Sequence, residues 1–214
     1  MPSYLNPTQF TAYIEEHSAL DLVRDYLFTG LPYVFRHTPK AYDTLKVHLS
    51  THLEIGQENI FVVGSARTGF SLGPNSFPRQ FNNSSDIDVI IVDQHLFDTL
   101  WHAVLKWHYP RKRIYLESED YQWVGERKTS IYWGWFYPDK ISYEGPIFPN
   151  ELRPIRDLAA KWFSAFRTFA LYFNYPDLAR RTISGRLYRT MEHAWFYHED
   201  SLRQLCARLP PRRV

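Results

Sequence analysis

Cysteine is almost absent from this sequence of 214 residues, in which Cys206 is the only one. A single thiol cannot close a disulfide within the chain, and it cannot form the group of thiolates that holds a structural zinc ion. No apolar run approaches the ~20 residues of a membrane-spanning helix, and residues 1–10 lack the basic and apolar regions of a signal peptide. We therefore expect a protein of a reducing, cytoplasmic compartment that does not bind a membrane.

The sequence also lacks internal repeats and low-complexity segments. Hydrophobic residues make up 44% of the chain and aromatic residues 17%, which excludes a disordered composition. A chain of this length can form one large domain, or a compact domain with a helical extension, around a substantial core.

Charge is unevenly distributed, although the formal net charge is only +2. Residues 153–214 contain 12 Lys and Arg against 5 Asp and Glu, whereas residues 1–152 contain 13 against 18. A basic segment of this kind is typical of a surface that binds phosphate or nucleic acid. A solvated helical surface explains it equally well, and the sequence does not decide between the two.

The first half of the chain shows clear signals for helices and strands. Thr38 and Pro39 are typical of a helix N-cap followed by its first residue, and apolar residues then recur at helical spacing. Short β-branched runs predict buried strands. The predicted elements are a helix over 39–53, strands over 60–63 and 89–92, and a helix that follows Asp93 and ends at Pro110.

The second half changes character twice. Residues 111–148 are rich in aromatic residues with glycine and proline breaks, and we expect two or three strands there, the clearest over Ser130–Tyr137. From Pro154 the apolar spacing becomes helical and predicts two helices, one over residues 155–173 and one that begins at Leu187 and reaches Leu205. The chain is therefore divided into a mixed α/β core with N-terminal helices over residues 1–150 and a C-terminal helical pair, packed on that core, over residues 151–214.

Two aspartates one residue apart stand beside the second predicted strand. Side chains at i and i+2 of a strand point to the same face, so Asp86 and Asp88 should lie together. Two adjacent carboxylates repel, and each tends to hold a proton unless a cation lies between them. Mg²⁺ takes oxygen ligands and is often shared between carboxylates and substrate phosphates. The pair predicts a metal platform for phosphoryl or nucleotidyl transfer, whereas a plain surface turn is the alternative.

A Gly-Ser pair follows the first predicted strand. Gly64 allows the backbone to approach a ligand closely, and Ser65 offers a hydroxyl and a backbone N–H. If a helix begins here, its free N–H groups and dipole favour a triphosphate. Arg67 could add a positive charge.

In this order, these motifs resemble the signature of the polymerase-beta-type nucleotidyltransferase superfamily. That signature is an apolar strand ending in Gly-Ser, a helix, and a second strand carrying Asp-apolar-Asp-apolar. The matches are Gly64-Ser65 and Asp86-Ile87-Asp88-Val89. Gly69 and Ser85 are similar to residues of the minimal, oligoadenylate-synthase-like branch. The recognisable resemblance covers about residues 61–93.

The resemblance implies both a fold and an activity. The fold would be α+β, with a small mixed sheet flanked by helices. The activity would be transfer of a nucleoside monophosphate from a nucleoside triphosphate, such as ATP, to a hydroxyl of an RNA end (including tRNA), a protein or another nucleotide. By the match, Asp86 and Asp88 would be catalytic and bind Mg²⁺ or Mn²⁺, and Gly64 and Ser65 would bind the nucleotide. Small relatives act in bacterial toxin–antitoxin and antiviral defence systems.

Two departures from the family pattern affect this expectation. Residues 71–84 form a long polar insertion, which could be a lid, an acceptor guide or a plain surface loop. Active members also place a third carboxylate on a later strand, but Ser130–Tyr137 contains none. Asp139 just after it is favoured, and Glu117, Glu119 and Asp120 precede it. Without a third carboxylate, the competing expectation is a nucleotide- or RNA-binding module without turnover, and a second-messenger synthase is a further alternative.

Arginine residues cluster in the C-terminal segment. The guanidinium group suits phosphate recognition, so these residues could contact substrate, while a solvated face is the alternative. Nearby aromatic residues could stack on a base or belong to the core. The residues concerned are Arg180, Arg181, Arg186 and Arg189, with Tyr188, Trp195 and Tyr197.

Overall fold

The structure, a computed structural model, describes residues 4–111, 118–140, 148–172 and 181–209, together with residues 175 and 178, and within these ranges the side chains of 111, 118–124, 139 and 170–172 are not described. The helices in these ranges are α1 (Pro7–Glu16), α2 (Ala19–Leu22), α3 (Pro39–Leu53), α4 (Gly64–Thr68), α5 (Gln94–Arg111), α6 (Ser118–Trp133), α7 (Arg153–Tyr172) and α8 (Met191–Cys206). The strands are β1 (Ile60–Val63), β2 (Ile87–Val92), β3 (Trp135–Phe136) and β4 (Ile183–Tyr188). No helix in the described part of the chain is long and apolar enough to cross a membrane.

The four strands form one mixed sheet in the order β1-β2-β4-β3. β1 is antiparallel to β2, β2 is parallel to β4, and β4 is antiparallel to β3. In this register Val63 lies opposite Asp88, and Asp88 lies opposite Ser184 on its other side. The expected α/β class, a small mixed sheet flanked by helices, is confirmed.

Helices cover both faces of the sheet. On one face Ile87, Val89 and Ile91 of β2 pack into the main core, which also contains buried side chains of α3, α5 and α7 such as Trp107 and Trp162. On the opposite face Ile90 and Val92 pack with Tyr188 and with Ala194 of α8. Asp88 belongs to this second face, and it is the one exposed residue of β2. The fold therefore leaves Asp88 open at one end of an otherwise buried strand.

The predictions for α3 and β1 match the structure, and β2 begins two residues earlier than predicted. The prediction of a strand over Ser130–Tyr137 is wrong, because α6 continues to Trp133 and only Trp135–Phe136 is a strand. The helix ends where Gly134 adopts φ +69°, a conformation that glycine tolerates at a helix C-terminus. The β-propensity of Ile131, Tyr132 and Trp133 is overridden, because these residues complete a helix that began upstream.

The two predicted C-terminal helices are present as α7 and α8, but a strand lies between them. β4 is a central strand of the sheet, and the expectation that a helix begins at Leu187 is wrong. Leu187 is spaced from Met191 as on a helix, which explains the error. The segment Ile183–Tyr188 also alternates buried with half-buried residues along most of its length, which is the period of a strand.

Candidate active site

The Gly-Ser turn and the aspartate pair lie side by side in the fold. Gly64 has φ +64°, which a residue with a side chain adopts only at a cost. A Cβ atom at Gly64 would lie 2.9 Å from Oδ2 of Asp88. The backbone of the turn therefore approaches the carboxylate more closely than any other residue would allow. Ser65 follows as the second residue of α4 and is half-buried.

Asp86 and Asp88 share the exposed face at the start of β2. Both are exposed, and Ile87 between them is fully buried. Their charges interact, since Asp86 contributes to the raised pKa of Asp88. The geometry thus brings together Asp86, Asp88 and Gly64, three of the four site residues predicted from the sequence. The fourth, Ser65, is adjacent to Gly64 in the chain.

The carboxylate of Asp88 sits in a mixed electrostatic environment. Partial desolvation by the surrounding strands is the largest effect and raises its pKa above the ordinary value. The hydroxyl of Ser184 donates a hydrogen bond to Oδ1 at 3.3 Å, and this bond together with the positive charges of Arg186 and Lys140 acts in the opposite direction. Asp88 therefore gains from any additional cation that binds on its open side.

The expected third carboxylate is not found at the neighbouring strand. Ser184 occupies the position beside Asp88 on β4, and within the described side chains no third Asp, Glu, His or Cys completes a metal-binding group. Asp139 lies on the turn Pro138–Lys140, whose Lys140 acts on Asp88, but its own side chain is outside the described residues. The same is true of the side chains of Glu119 and Asp120, and Glu117 lies wholly outside them.

A cleft of about 160 Å³, called the candidate cleft below, opens beside Asp88. Arg186 of β4 lines the same cleft. Its guanidinium carbon lies 5.0 Å from the ring centre of Trp135, 4.4 Å from that of Tyr137 and 4.3 Å from that of Tyr197. Such contacts between a cation and ring faces are attractive. Arg186 also donates a hydrogen bond from Nη1 to the hydroxyl of Tyr188 at 3.0 Å. Aromatic packing thus holds one positive charge near the acidic end of the cleft.

His198 of α8 also lines the candidate cleft. Its Nε2 atom is buried and has no hydrogen-bond partner among the described residues. Burial and the positive charge of Arg186 lower the pKa of His198 to about 3. The imidazole is therefore neutral at physiological pH and adds no positive charge to the cleft.

Two further arginines of the C-terminal cluster have structural partners. Arg181 donates a hydrogen bond to the backbone oxygen of Ser85 at 2.9 Å, next to the aspartate pair. Arg189 pairs with Asp98 at 2.9 Å. Arg180 lies outside the described residues. Among the three arginines of this cluster that the structure describes, only Arg186 lines the candidate cleft. The strand period of Ile183–Tyr188 is the signal that could distinguish it from the others.

Arg67 points away from the candidate cleft. It is 5% exposed and donates hydrogen bonds to the backbone oxygens of Tyr26 at 2.6 Å, Leu27 at 3.1 Å and Leu31 at 2.8 Å. The positive charge that the sequence suggested for phosphate binding instead fixes α4 to the N-terminal segment.

The polar insertion over residues 71–84 is packed onto the body of the protein. Phe77 contacts Phe10 and Phe70, with ring centres 6.5 and 5.9 Å apart. Backbone hydrogen bonds join Ser71 to Arg79 at 2.8 Å and Phe81 to Gly69 at 2.9 Å. These contacts favour a packed surface insertion over a lid.

Comparison with known proteins identifies no relative. No protein-family model matches the sequence, and no curated protein and no solved structure is significantly similar to it. The function is therefore inferred from the motifs and from the geometry of the candidate cleft.

Proposed function

We propose that this protein is a metal-dependent nucleotidyltransferase, which transfers a nucleoside monophosphate from a nucleoside triphosphate to a hydroxyl acceptor. The observation that carries the proposal is the close approach of the Gly64 turn to Asp88, 2.9 Å for a Cβ at that position, with Asp86 on the same exposed face. A phosphate-binding turn next to paired carboxylates is the arrangement that such a transfer requires, because its catalysis consists of positioning and charge neutralisation.

The residues present fit a hard divalent cation such as Mg²⁺ or Mn²⁺. Asp86 and Asp88 offer exposed carboxylate oxygens, and the pKa of Asp88 is raised, chiefly by desolvation and further by the charge of Asp86, so a bound cation would stabilise its charged form. Both features match the ligand preference of these ions. When bound there, the ion would neutralise charge on the phosphates.

The chain's own residues would position the triphosphate. Gly64 would let the backbone approach the phosphates, and Ser65 would donate hydrogen bonds to them. Arg186, held by its aromatic neighbours, would provide a fixed positive charge from the neighbouring strand β4. Because its guanidinium is already oriented, little side-chain entropy is lost when it binds an anion.

A second function, nucleotide or RNA binding without turnover, is favoured by one specific observation. Ser184 lies opposite Asp88 on β4, where active members of the resembled family carry an acid on a later strand. A serine hydroxyl stays protonated at neutral pH and cannot serve as an anionic ligand or a strong base. The change Ser184→Asp separates the two functions: it should create or increase transfer if the missing carboxylate is what limits the protein, and leave nucleotide binding intact.

The direct test of the proposed activity uses α-labelled nucleoside triphosphates, supplied one at a time with Mg²⁺ or Mn²⁺ and total RNA. We expect label in RNA, in protein or in a soluble product, and the destination identifies the acceptor. The double variant Asp86→Asn, Asp88→Asn should abolish transfer. Its melting temperature should stay equal or rise, because two like charges are removed. Transfer that survives this double change would show that the activity resides elsewhere.

A further inference from the structure

A wide groove lined by aromatic side chains adjoins the candidate cleft. It has a volume of about 680 Å³, and we call it the aromatic groove. The end of α6, β3 and the middle of α8 form its walls. The rings that line it are Tyr132, Trp133, Trp135, Phe196 and Tyr197.

The rings of the aromatic groove are unusually open to solvent. Tyr132 is 77% exposed, Phe196 63% and Trp133 58%. Tyr132 and Trp133 meet edge to face with ring centres 5.1 Å apart, so they present ring surfaces in two directions. Exposed apolar surface gathered in one place marks a binding site more often than scattered exposed residues do. These three rings contribute little to the core, and the fold does not require them.

The aromatic groove lies next to the candidate cleft. Tyr197 lines both of them, and Trp135 of the groove contacts Arg186 of the cleft at 5.0 Å. A ligand that spans the two would meet ring faces first, then a guanidinium, then the aspartate pair. A strand of nucleic acid, in which flat bases alternate with phosphates, has this sequence of chemical groups.

We propose that the aromatic groove binds the bases of single-stranded nucleic acid, whose 3′ end is the hydroxyl acceptor of the proposed transfer. The proposal rests on the proposed function only for the identity of the acceptor, since the binding of the strand needs no chemistry. No Lys or Arg is among the described residues that line the groove, and Asp200 lies at it. Stacking therefore supplies the attraction in the groove, while Arg186 supplies the contact to phosphate.

The test measures binding of a fluorescent single-stranded oligonucleotide of twelve or so nucleotides by anisotropy, without triphosphate or metal. RNA and DNA of the same sequence form two arms, which tell whether the 2′-hydroxyl contributes. The double variant Trp133→Ala, Phe196→Ala should weaken binding about tenfold or more, because base stacking on two rings is lost. Its melting temperature should stay close to that of the wild type, since both side chains are exposed.

Two controls separate stacking from other effects. Tyr109→Ala removes an aromatic ring on α5 that is 63% exposed and does not line the groove, and it should bind the oligonucleotide as the wild type does. An abasic strand with the same backbone should bind the wild type as weakly as the intact strand binds the double variant, because it keeps the phosphates and lacks the bases.

Several results would overturn the proposal. The first is equal affinity of the wild type and the double variant for the oligonucleotide, and the second is absence of oligonucleotide binding. The third is a wild-type dimer that becomes a monomer in the double variant, which would make the groove a contact between two copies. If transfer is never detected but the strand binds and depends on Trp133, the proposed activity fails and this inference stands. If RNA is labelled but binds equally well without the Trp133 ring, this inference fails and the proposed activity stands.

Discussion

Gly64 combines a backbone conformation that favours glycine with a position beside the candidate site. Gly64→Ala should destabilise the protein by about 1–2 kcal/mol, because its φ of +64° is unfavourable for a residue with a Cβ. The new methyl group would also lie 2.9 Å from Oδ2 of Asp88 and push that carboxylate aside. Urea denaturation measures the first effect, and a loss of metal-dependent triphosphate binding measures the second.

Gly125 of α6 provides the matched control. It is exposed, and a Cβ atom added there would meet no other atom within 4 Å. Gly125→Ala should therefore stabilise the protein by about 0.5–1 kcal/mol, as expected for this change inside a helix, and leave ligand binding unchanged. Equal effects of the two substitutions would contradict the role given to Gly64.

His198 links the stability of the protein to pH. Its pKa is about 3 in the folded protein, against an ordinary value of 6.5. Between these two values the unfolded chain binds a proton that the folded protein does not, so stability falls as pH decreases from about 6.5 towards 3, by at most ~1.4 kcal/mol per pH unit from this group. His198→Leu should flatten the pH dependence of the unfolding free energy below pH 6.5.

The flattening should be partial rather than complete. The pKa values of His48 and His193 are also lowered, chiefly by burial. Both residues therefore also reduce the stability of the folded protein as pH decreases. Urea titrations at several pH values between 4 and 7 give the slopes. Identical slopes for the wild type and His198→Leu would show that this imidazole is not held neutral by the fold.

At the scale of elements, Arg67 joins α4 to the N-terminal segment that contains α2. Arg67→Met would leave four backbone oxygens without this donor, those of Tyr26 and Leu27, which are buried, and those of Thr29 and Leu31, which are partly buried. We expect a loss of about 3 kcal/mol or more, since each unsatisfied buried group costs ~1–3 kcal/mol. Chemical denaturation measures it.

Arg203 of α8 serves as the control for that change. Its side chain is 71% exposed and pairs with Glu199 one turn away. Arg203→Met should change stability by less than about 0.5 kcal/mol, as exposed ion pairs of this spacing contribute little. A loss at Arg203 as large as that at Arg67 would mean that the buried hydrogen bonds are not the cause.

The sequence predicted some elements well because their signals are local. The N-terminal proline of α3 is sufficient to predict where that helix begins, and the β-branched run of β1 is sufficient to predict a strand. The structure agrees with both predictions. The failures over α6 and β4 have another origin. The aromatic residues of 130–137 favour a strand, although a preceding helix continues through most of them. The apolar spacing around Leu187 fits a helix as well as a buried strand. Only the pairing with β2 makes the segment around Leu187 a strand rather than a helix.

At the scale of the whole molecule, the candidate cleft combines segments that are distant in the sequence. Asp88 comes from the acidic N-terminal part and Arg186 from the basic C-terminal part, and they meet because β4 pairs in parallel with β2. The Gly-Ser turn and the aspartates were predictable, since both follow from a compact motif. Ser184 was not predicted for the site, and Arg186 was not distinguished from the other arginines that could contact substrate, because no local pattern specifies which strands become neighbours.

The proposed activity requires that Asp86 and Asp88, beside the Gly64 turn, bind a divalent metal together with a triphosphate. The measurement that tests it most directly is calorimetric titration of inorganic tripolyphosphate into the protein with and without Mg²⁺, which removes any dependence on the base. We expect binding that requires Mg²⁺ and that weakens about tenfold or more in the folded double variant Asp86→Asn, Asp88→Asn, as expected when charged ligands to a metal are lost. Equal binding by the wild type and this variant, or binding that is indifferent to Mg²⁺, would contradict the claim.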